Sequence, residues 1–322
     1  MKILVAPLNW GLGHATRCIP LITGFLKEGH SITIATDGYP AILLREEFPD
    51  LRFIELPSYP FRYSSGTSQL GAMILSTPFI LAGIIREHNW LKRLLADEQY
   101  DLVVSDNRFG LWNKRVRSIY LTHQLMIKMP KTLHWLEPAV HTLHRWFIGK
   151  YDECLIPDYA GEHNLSGDLA HRFPLPSHAR FIGPLSRFAA TQCIPSAQFA
   201  TVILISGPEP QRSIFEQQQM QLAASYPRPI LMVRGLPGTA HQLDADGITT
   251  VPHVSSQQLA GYLTGCRTII CRSGYSTIMD LETLGCTHKA RLIPTPGQTE
   301  QEYLAQYHQK NTVNRTIHGA TN

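Results

Sequence analysis

The sequence predicts an α/β chain in two halves, each a mainly parallel sheet covered by helices on both faces. Three observations predict it. Strand and helix signals alternate through the N-terminal part and again from Thr201 onward, the order that builds parallel sheets. Between them, residues 157–195 are dense in Pro, Gly, Ser and His with weak periodicity, which marks a boundary. Each half opens on a strand that runs into a glycine-bearing turn. The 322 residues suit two domains of roughly 100–200 residues each. We place the domains at residues 1–165 and 185–310, with a polar, unstructured tail at 311–322.

The elements follow in order. Residues 2–6 are a short apolar run and read as a buried strand. Gly11 and Gly13 make a turn, and a helix follows over 14–29. Residues 31–36 are a second strand, closed by Asp37 and Gly38, and 51–56 a third. After Pro78 a long helix covers 79–96. Strand 101–105 ends in polar Asp106 and Asn107, and 118–121 is another strand. Residues 128–151, rich in His, Trp and Pro, read as helix and loop. The second half gives strands at 201–205, 229–233, 248–251, 268–271 and 291–293. Its helices fall at 209–225, 274–284 and 300–309.

Composition excludes several classes. With 43% hydrophobic and 17% charged residues the chain is not intrinsically disordered. A net charge of +4 is too mild to announce nucleic-acid binding. The first apolar run is too short for a signal h-region, and the apolar stretch 70–85 is broken by Ser76, Thr77 and Pro78, short of the ~20 residues a spanning helix needs. Six scattered cysteines with no C-x-x-C pair make a disulfide framework or zinc site unlike this chain and fit a reducing cytosol.

The chemistry sits in the turns. Asn9-Trp10-Gly11-Leu12-Gly13-His14 follows a strand and opens a helix, where small residues admit a ligand and the helix N-terminus favours anions. A dinucleotide fingerprint would want a third glycine where Thr16 stands, although Asp37 at the end of the second strand keeps a dehydrogenase reading open. A structural turn with no ligand also fits. His14, on the first helical turn, suits a general base, since a helix N-terminus keeps imidazole neutral. A capping or packing histidine is the alternative. In the second half Arg272, Ser273 and Gly274 again form strand, turn and helix start. Asp280 lies two turns on, within reach of ribose hydroxyls. Ser206 and Gly207, with Arg212 beyond, open a parallel site. Two such phosphate-friendly turns suggest a nucleoside diphosphate, and no G-x-x-x-x-G-K-[ST] is present. Pro294 to Glu302 is a rigid turn dense in amides and carboxylates that suit sugar hydroxyls; Thr299 and Glu302 also fit a capping box.

These residues carry a resemblance. G-L-G-H-A-T-R is similar to the G-x-G-G-H turn of GT-B glycosyltransferases. C-R-S-G-Y-S-T-I-M-D, followed by I-P-T-P-G-Q-T-E-Q-E-Y-L, resembles the C-terminal half of family-28 enzymes, the family of the lipid-linked N-acetylglucosaminyltransferase of peptidoglycan synthesis. The resemblance implies two Rossmann-like domains facing across a cleft. It implies a UDP-sugar donor in the C-terminal half, a glycan or lipid-linked cell-envelope acceptor in the N-terminal half, and neither cofactor nor essential metal. Ser273, Gly274 and Arg272 would meet the diphosphate, with Ser206, Gly207 and Arg212 beside them. Asp280 would meet the ribose, Val254 the base, and Gln298, Glu300 and Gln301 the donor sugar. Asn9, Gly11, Gly13 and Arg108 would face the acceptor. Two departures stand out: Pro208 and Pro210 lack N–H donors, and little chain remains after Tyr307 for a C-terminal helix crossing back to the first domain.

The reaction implied is inverting transfer of a hexose to a hydroxyl, with His14 or Asp106 as base and the α-helix start at Ser273 and Gly274 plus Arg272 stabilising the leaving diphosphate. Asp244-Ala245-Asp246, a D-x-D pair, reads as a surface turn rather than a metal site. Two other classes stay open: a sugar-nucleotide epimerase, which needs a carboxylate pair in the cleft and no acceptor, and a non-catalytic nucleotide-sugar binder. The apolar stretch 70–95 and the basic segment 114–117 allow peripheral contact with the inner face of a membrane, against a buried helix and a solvated charge cluster.

Overall fold

The computed structural model describes residues 1–58, 70–239 and 243–319. The first half holds β1 (Lys2–Pro7), α1 (Leu12–Lys27), β2 (Ser31–Thr36), α2 (Gly38–Glu47), β3 (Arg52–Glu55), α3 (Leu70–Asp97), β4 (Leu102–Asp106), β5 (Arg117–Leu121), α4 (Glu137–Ile148), β6 (Glu153–Ile156), α5 (Asp168–His171) and β7 (Ala179–Phe181). The second holds β8 (Thr201–Leu204), α6 (Gln211–Leu222), β9 (Ile230–Val233), β10 (Leu243–Ala245), β11 (Ile248–Val251), α7 (Ser256–Gly265), β12 (Thr268–Arg272), α8 (Tyr275–Thr283), β13 (Ala290–Ile293) and α9 (Thr299–Gly319).

Each half builds one sheet. The first has strand order β3-β2-β1-β4-β5-β6-β7, every pair parallel. The second has order β10-β11-β9-β8-β12-β13, parallel except for the β10–β11 hairpin. Central strands are buried on both faces, so they read as unbroken apolar runs. In β1, Ile3 and Val5 pack with Ala15, Cys18, Ile19 and Ile22 of α1, a stripe at helical spacing. Leu4 and Ala6 face the other way, against Leu91 of α3. Val202 and Ile203 of β8 divide in the same manner between two cores.

Topology fixes where a ligand can lie. Strand order reverses between β1 and β4 in the first sheet and between β8 and β12 in the second. In open α/β sheets the crevice outside the carboxyl ends of strands at such points is the binding site. The two sheets turn these edges toward each other across a cleft, which is the GT-B arrangement.

Several elements escape the sequence reading. β6 and β7 are short and Pro-flanked, and they carry the first sheet to Phe181. α2 and α7 are short helices with weak stripes, although Ser255 and Gln258 form a complete capping box for α7. The largest correction concerns the C-terminus. Residues 311–319 continue α9 rather than forming an unstructured tail, and α9 is itself the helix that reaches back to the first half. Backbone N–H of Asp168 donates to Tyr303 Oη (2.7 Å), Tyr307 bonds Asn164, and His308 Nε2 bonds the Leu165 carbonyl (2.9 Å). Leu165, Leu169, Tyr275, Ile278, Met279 and Leu304 form one apolar cluster between the halves. These anchors hold the helix in register, so its polar continuation keeps a template to grow from. No helix among the described residues is long and apolar enough to cross a membrane.

Candidate functional site

A cavity of about 290 Å³ fills the cleft. Its walls come from the turns after β1, β4, β5, β8, β12 and β13, the carboxyl ends that the topology brings together. Gly11 caps α1 at φ 101° and Gly274 caps α8. Neither cap offers a side-chain acceptor, and neither helix has an acidic residue in its first turn. Both helix starts line the cavity, with their first N–H groups lacking capping side chains.

The glycines permit this approach. A Cβ on Gly11 would lie 3.9 Å from Cα of Gly207 in the opposite domain. A Cβ on Gly13 would lie 2.8 Å from Oγ of Ser276, which donates to the Gly13 carbonyl at 2.9 Å. Gly13 thus serves domain contact as well as cavity lining, and Gly207, at φ 108°, turns the β8 end into the cleft.

The basic and acidic groups form one chain. Asp106, fully buried at the end of β4, accepts from Arg17 Nε at 2.9 Å and from Arg17 Nη2. Arg17 also donates Nη2–H to His14 Nδ1 at 2.9 Å and Nη1–H to His123 Nδ1 at 3.0 Å. Oδ1 of Asp106 lies 3.2 Å from His14 Nδ1. His123 donates Nε2–H to Glu300 Oε1 at 2.9 Å across the cleft, and its ring stacks on Tyr275 at 4.1 Å. Burial lowers the His14 pKa, Asp106 opposes that, and Arg17 lowers it further, leaving the ring neutral at neutral pH. For Asp106, burial would raise the pKa, but Arg17 and His14 hold the carboxylate well below its ordinary value. Burial also works to raise Glu300, and His123, His14 and Arg17 together bring it below the usual range.

The expected residues divide. His14, Gly11, Gly13, Ser206, Gly207, Gly274, Gln298, Glu300 and Gln301 all line the cavity. Asp106 stands behind His14, with both oxygens held, so it orients rather than faces a substrate. Asn9 does not line the cavity; its backbone N–H is bonded to Ser58 Oγ at 3.1 Å. Ser273 is fully buried and gives its hydroxyl to the Gln301 carbonyl at 2.8 Å. Asp280 lines a smaller cavity of about 90 Å³ next to the first and accepts from Ser186 Oγ at 2.6 Å; burial raises its pKa against the opposing Arg187.

Six positions are corrected. Arg108 is fully buried and spent on Glu87 (2.7 Å) and the Pro7 and Leu56 carbonyls, because Asn107 at φ 55° turns the chain inward. It holds the β4 turn and does not face an acceptor. Arg212 is paired with Glu209 (2.7 Å) and Glu216 (2.8 Å), its i+4 neighbour on α6, and lies outside the cavity. Val254 packs against the second core, while its neighbour His253 lines the small cavity. Arg272 points beneath the cleft, with Nη1 on the Pro294 carbonyl at 2.7 Å and the guanidinium 4.0 Å above the Phe215 ring. Its Nε and Nη2 are buried without hydrogen-bond partners. Thr299 and Glu302 form no capping box: Thr299 donates to the Lys128 carbonyl (2.7 Å), and Glu302 accepts from Gly297 N–H (2.8 Å).

Sequence reasoning missed Arg17, His123 and Arg187. Arg17 lies three residues after His14, on the same helix face. His123 follows β5 at the same sheet edge. Arg187, 3.5 Å from Asp280 and lining the small cavity, sits in the Pro-rich stretch with no pattern to mark it.

No family model matches the chain. Two curated relatives, described as uncharacterized glycosyltransferases of Methanosarcina acetivorans and Methanosarcina mazei, are each 24% identical over 94% of this chain and cover 80% and 82% of their own lengths. Among solved structures, the glycosyltransferase of kitacinnamycin superposes with TM-score 0.54 and 15% identity, over 97% of this chain and 90% of its own. The spinosyn rhamnosyltransferase SpnG complexed with thymidine diphosphate gives 0.52 and 14%, over 99% and 92%. The S. aureus MnaA–UDP co-structure gives 0.53 and 11%, over 96% and 87%. These likenesses show the two-domain fold.

Proposed function

We propose that the chain is a glycosyltransferase that moves a hexose from a nucleoside-diphosphate sugar, UDP-linked in the first instance, to an acceptor hydroxyl with inversion. The observation that carries this reading is the meeting of the α1 and α8 N-termini over one cavity, neither capped by a side chain. Such a pair of positive dipole ends suits a dianionic diphosphate. The curated relatives' description and the nucleoside diphosphates bound in SpnG and MnaA agree with it.

The acceptor oxygen attacks the anomeric carbon and the bond to the diphosphate breaks. The hydroxyl proton passes to Nε2 of His14, in the tautomer whose Nδ1–H donates a hydrogen bond to the Asp106 carboxylate. The leaving charge meets the α8 N–H groups and, in this reading, Arg187 rather than a metal ion. Glu300, Gln301 and Gln298 face the sugar, and Asp280 the ribose. Trp10, Ile127 and Pro130 at the N-domain wall would meet a glycan or lipid-linked acceptor. Phe79 and Ile85, exposed on α3, suit peripheral contact with a membrane, which salt-dependent liposome co-sedimentation tests.

Thermal stabilisation by UDP-, GDP- and dTDP-sugars tests the donor. Acceptor-dependent release of the nucleoside diphosphate, with the product anomer read by NMR, then tests the reaction. Epimer formation without acceptor would convert the reading to an epimerase, and stabilisation without turnover would leave a nucleotide-sugar binder.

A further inference from the structure

We propose that Arg17 is a positioning residue that sets which ring nitrogen of His14 carries the proton. The inference takes its mechanistic meaning from the transferase reading above, but its evidence is independent of it. A guanidinium has five N–H donors and no acceptor, and it stays charged in proteins. Arg17 is 2% exposed, with Nη2 2.9 Å from His14 Nδ1 and Nη1 3.0 Å from His123 Nδ1. A nitrogen that accepts from Arg17 cannot itself carry hydrogen. Here one donor fixes two rings, and each carries its hydrogen on Nε2.

His123 supplies an internal check. Its Nε2–H requires an acceptor, and Glu300 Oε1 stands 2.9 Å away. The same logic has a sharper consequence at His14. Its Nδ1 presents a lone pair, so Asp106 Oδ1 at 3.2 Å receives nothing from it. Its Nε2–H is a donor, suited to a sugar or phosphate oxygen and unable to take a proton from a hydroxyl. Base chemistry needs the other tautomer: the ring takes a proton from water at Nδ1, which then donates to Asp106, and returns its Nε2 proton to water. Arg17 must turn its Nη2–H off the ring and keep its two bonds to Asp106. The guanidinium therefore separates a donor setting of His14 from a base setting.

The test is long-range proton–nitrogen correlation NMR on ligand-free protein carrying ¹⁵N-histidine, with His14 and His123 assigned from His14→Gln and His123→Gln spectra. Wild-type protein should show protonated Nε2 and bare Nδ1 on both rings. Protonated Nδ1 on His14 would overturn the proposal without any variant. In Arg17→Met, His14 should switch to protonated Nδ1, since Asp106 becomes its partner; an unchanged pattern in folded variant would also overturn it. If Arg17→Met does not fold, the wild-type spectrum decides alone. A chain with the expected spectrum and no transfer activity would sink the transferase reading and leave the role of Arg17 standing.

Discussion

His123 and Glu300, 177 residues apart in the chain, meet at 2.9 Å across the cleft and join the two domains at the floor of the cavity. One comes from the turn after β5 and the other from the first turn of α9. Through Arg17 the contact extends to Asp106 and His14, so the group expected at the donor sugar and the group expected at the acceptor hydroxyl share one hydrogen-bond chain.

Replacing His14 with Ala should lower kcat by about 10²–10⁴-fold while the donor Kd, measured by calorimetry, changes little. Because the His14 pKa is lowered from 6.5, the unprotonated ring persists below that pH. The acid limb of kcat/KM should therefore fall below pH 6.5. Unaltered turnover in the Ala variant would remove His14 from the reaction.

Arg108→Ala tests the reassignment of that residue. It removes the cationic partner of the buried Glu87 carboxylate, and breaking a buried ion pair typically costs about 3–5 kcal/mol, so the melting temperature should fall sharply. Glu87→Gln with Arg108 intact should also destabilise. Normal stability with a raised acceptor KM would return Arg108 to the acceptor site.

Arg272 offers the opposite pattern. Its guanidinium is buried, has two unpartnered nitrogens and is pushed down to about 10 by burial. Arg272→Met keeps the apolar contact with Phe215 and removes an uncompensated charge. The expected result is an unchanged or higher melting temperature with donor binding unaltered. A large loss of stability would mean that the charge is satisfied in the fold.

Acid should loosen the protein before carboxylates titrate. Burial lowers His144 to about 4, partly opposed by the Leu125 carbonyl, and burial then Arg187 lower His253 to about 4. Between pH 6.5 and 4 the unfolded chain binds these protons and the native one does not, so stability rises with pH across that window. His144 alone accounts for about 3 kcal/mol by this linkage. Urea midpoints at pH 7, 5.5 and 4.5 should decline, and His144→Gln should flatten the decline.

Much of this was legible in sequence. The first glycine turn, with His14, and the residues near Gly274 and Glu300 lie at carboxyl ends of strands, and apolar runs mark those strands clearly. Arg108 was misplaced because a one-residue turn at Asn107 decides whether the next side chain faces the cleft or the core, and no pattern announces positive φ there. Arg212 was misplaced because a helical partner, Glu216, claims its charge. β7 was hidden because three residues of edge strand carry too little periodicity. Arg17 was in plain view inside the quoted motif, but only the fold brings His123 to it.

α9 has one more consequence, which concerns synthesis. The two sheets are complete by Phe181 and Ile293, so each domain can fold as its own unit while the chain is still being made. The residues of α9 that dock them, Thr299 through His308, emerge after both sheets. Until they leave the ribosome, the cleft lacks the wall that Gln298, Glu300 and Gln301 supply, and the cavity is finished only once α9 has emerged.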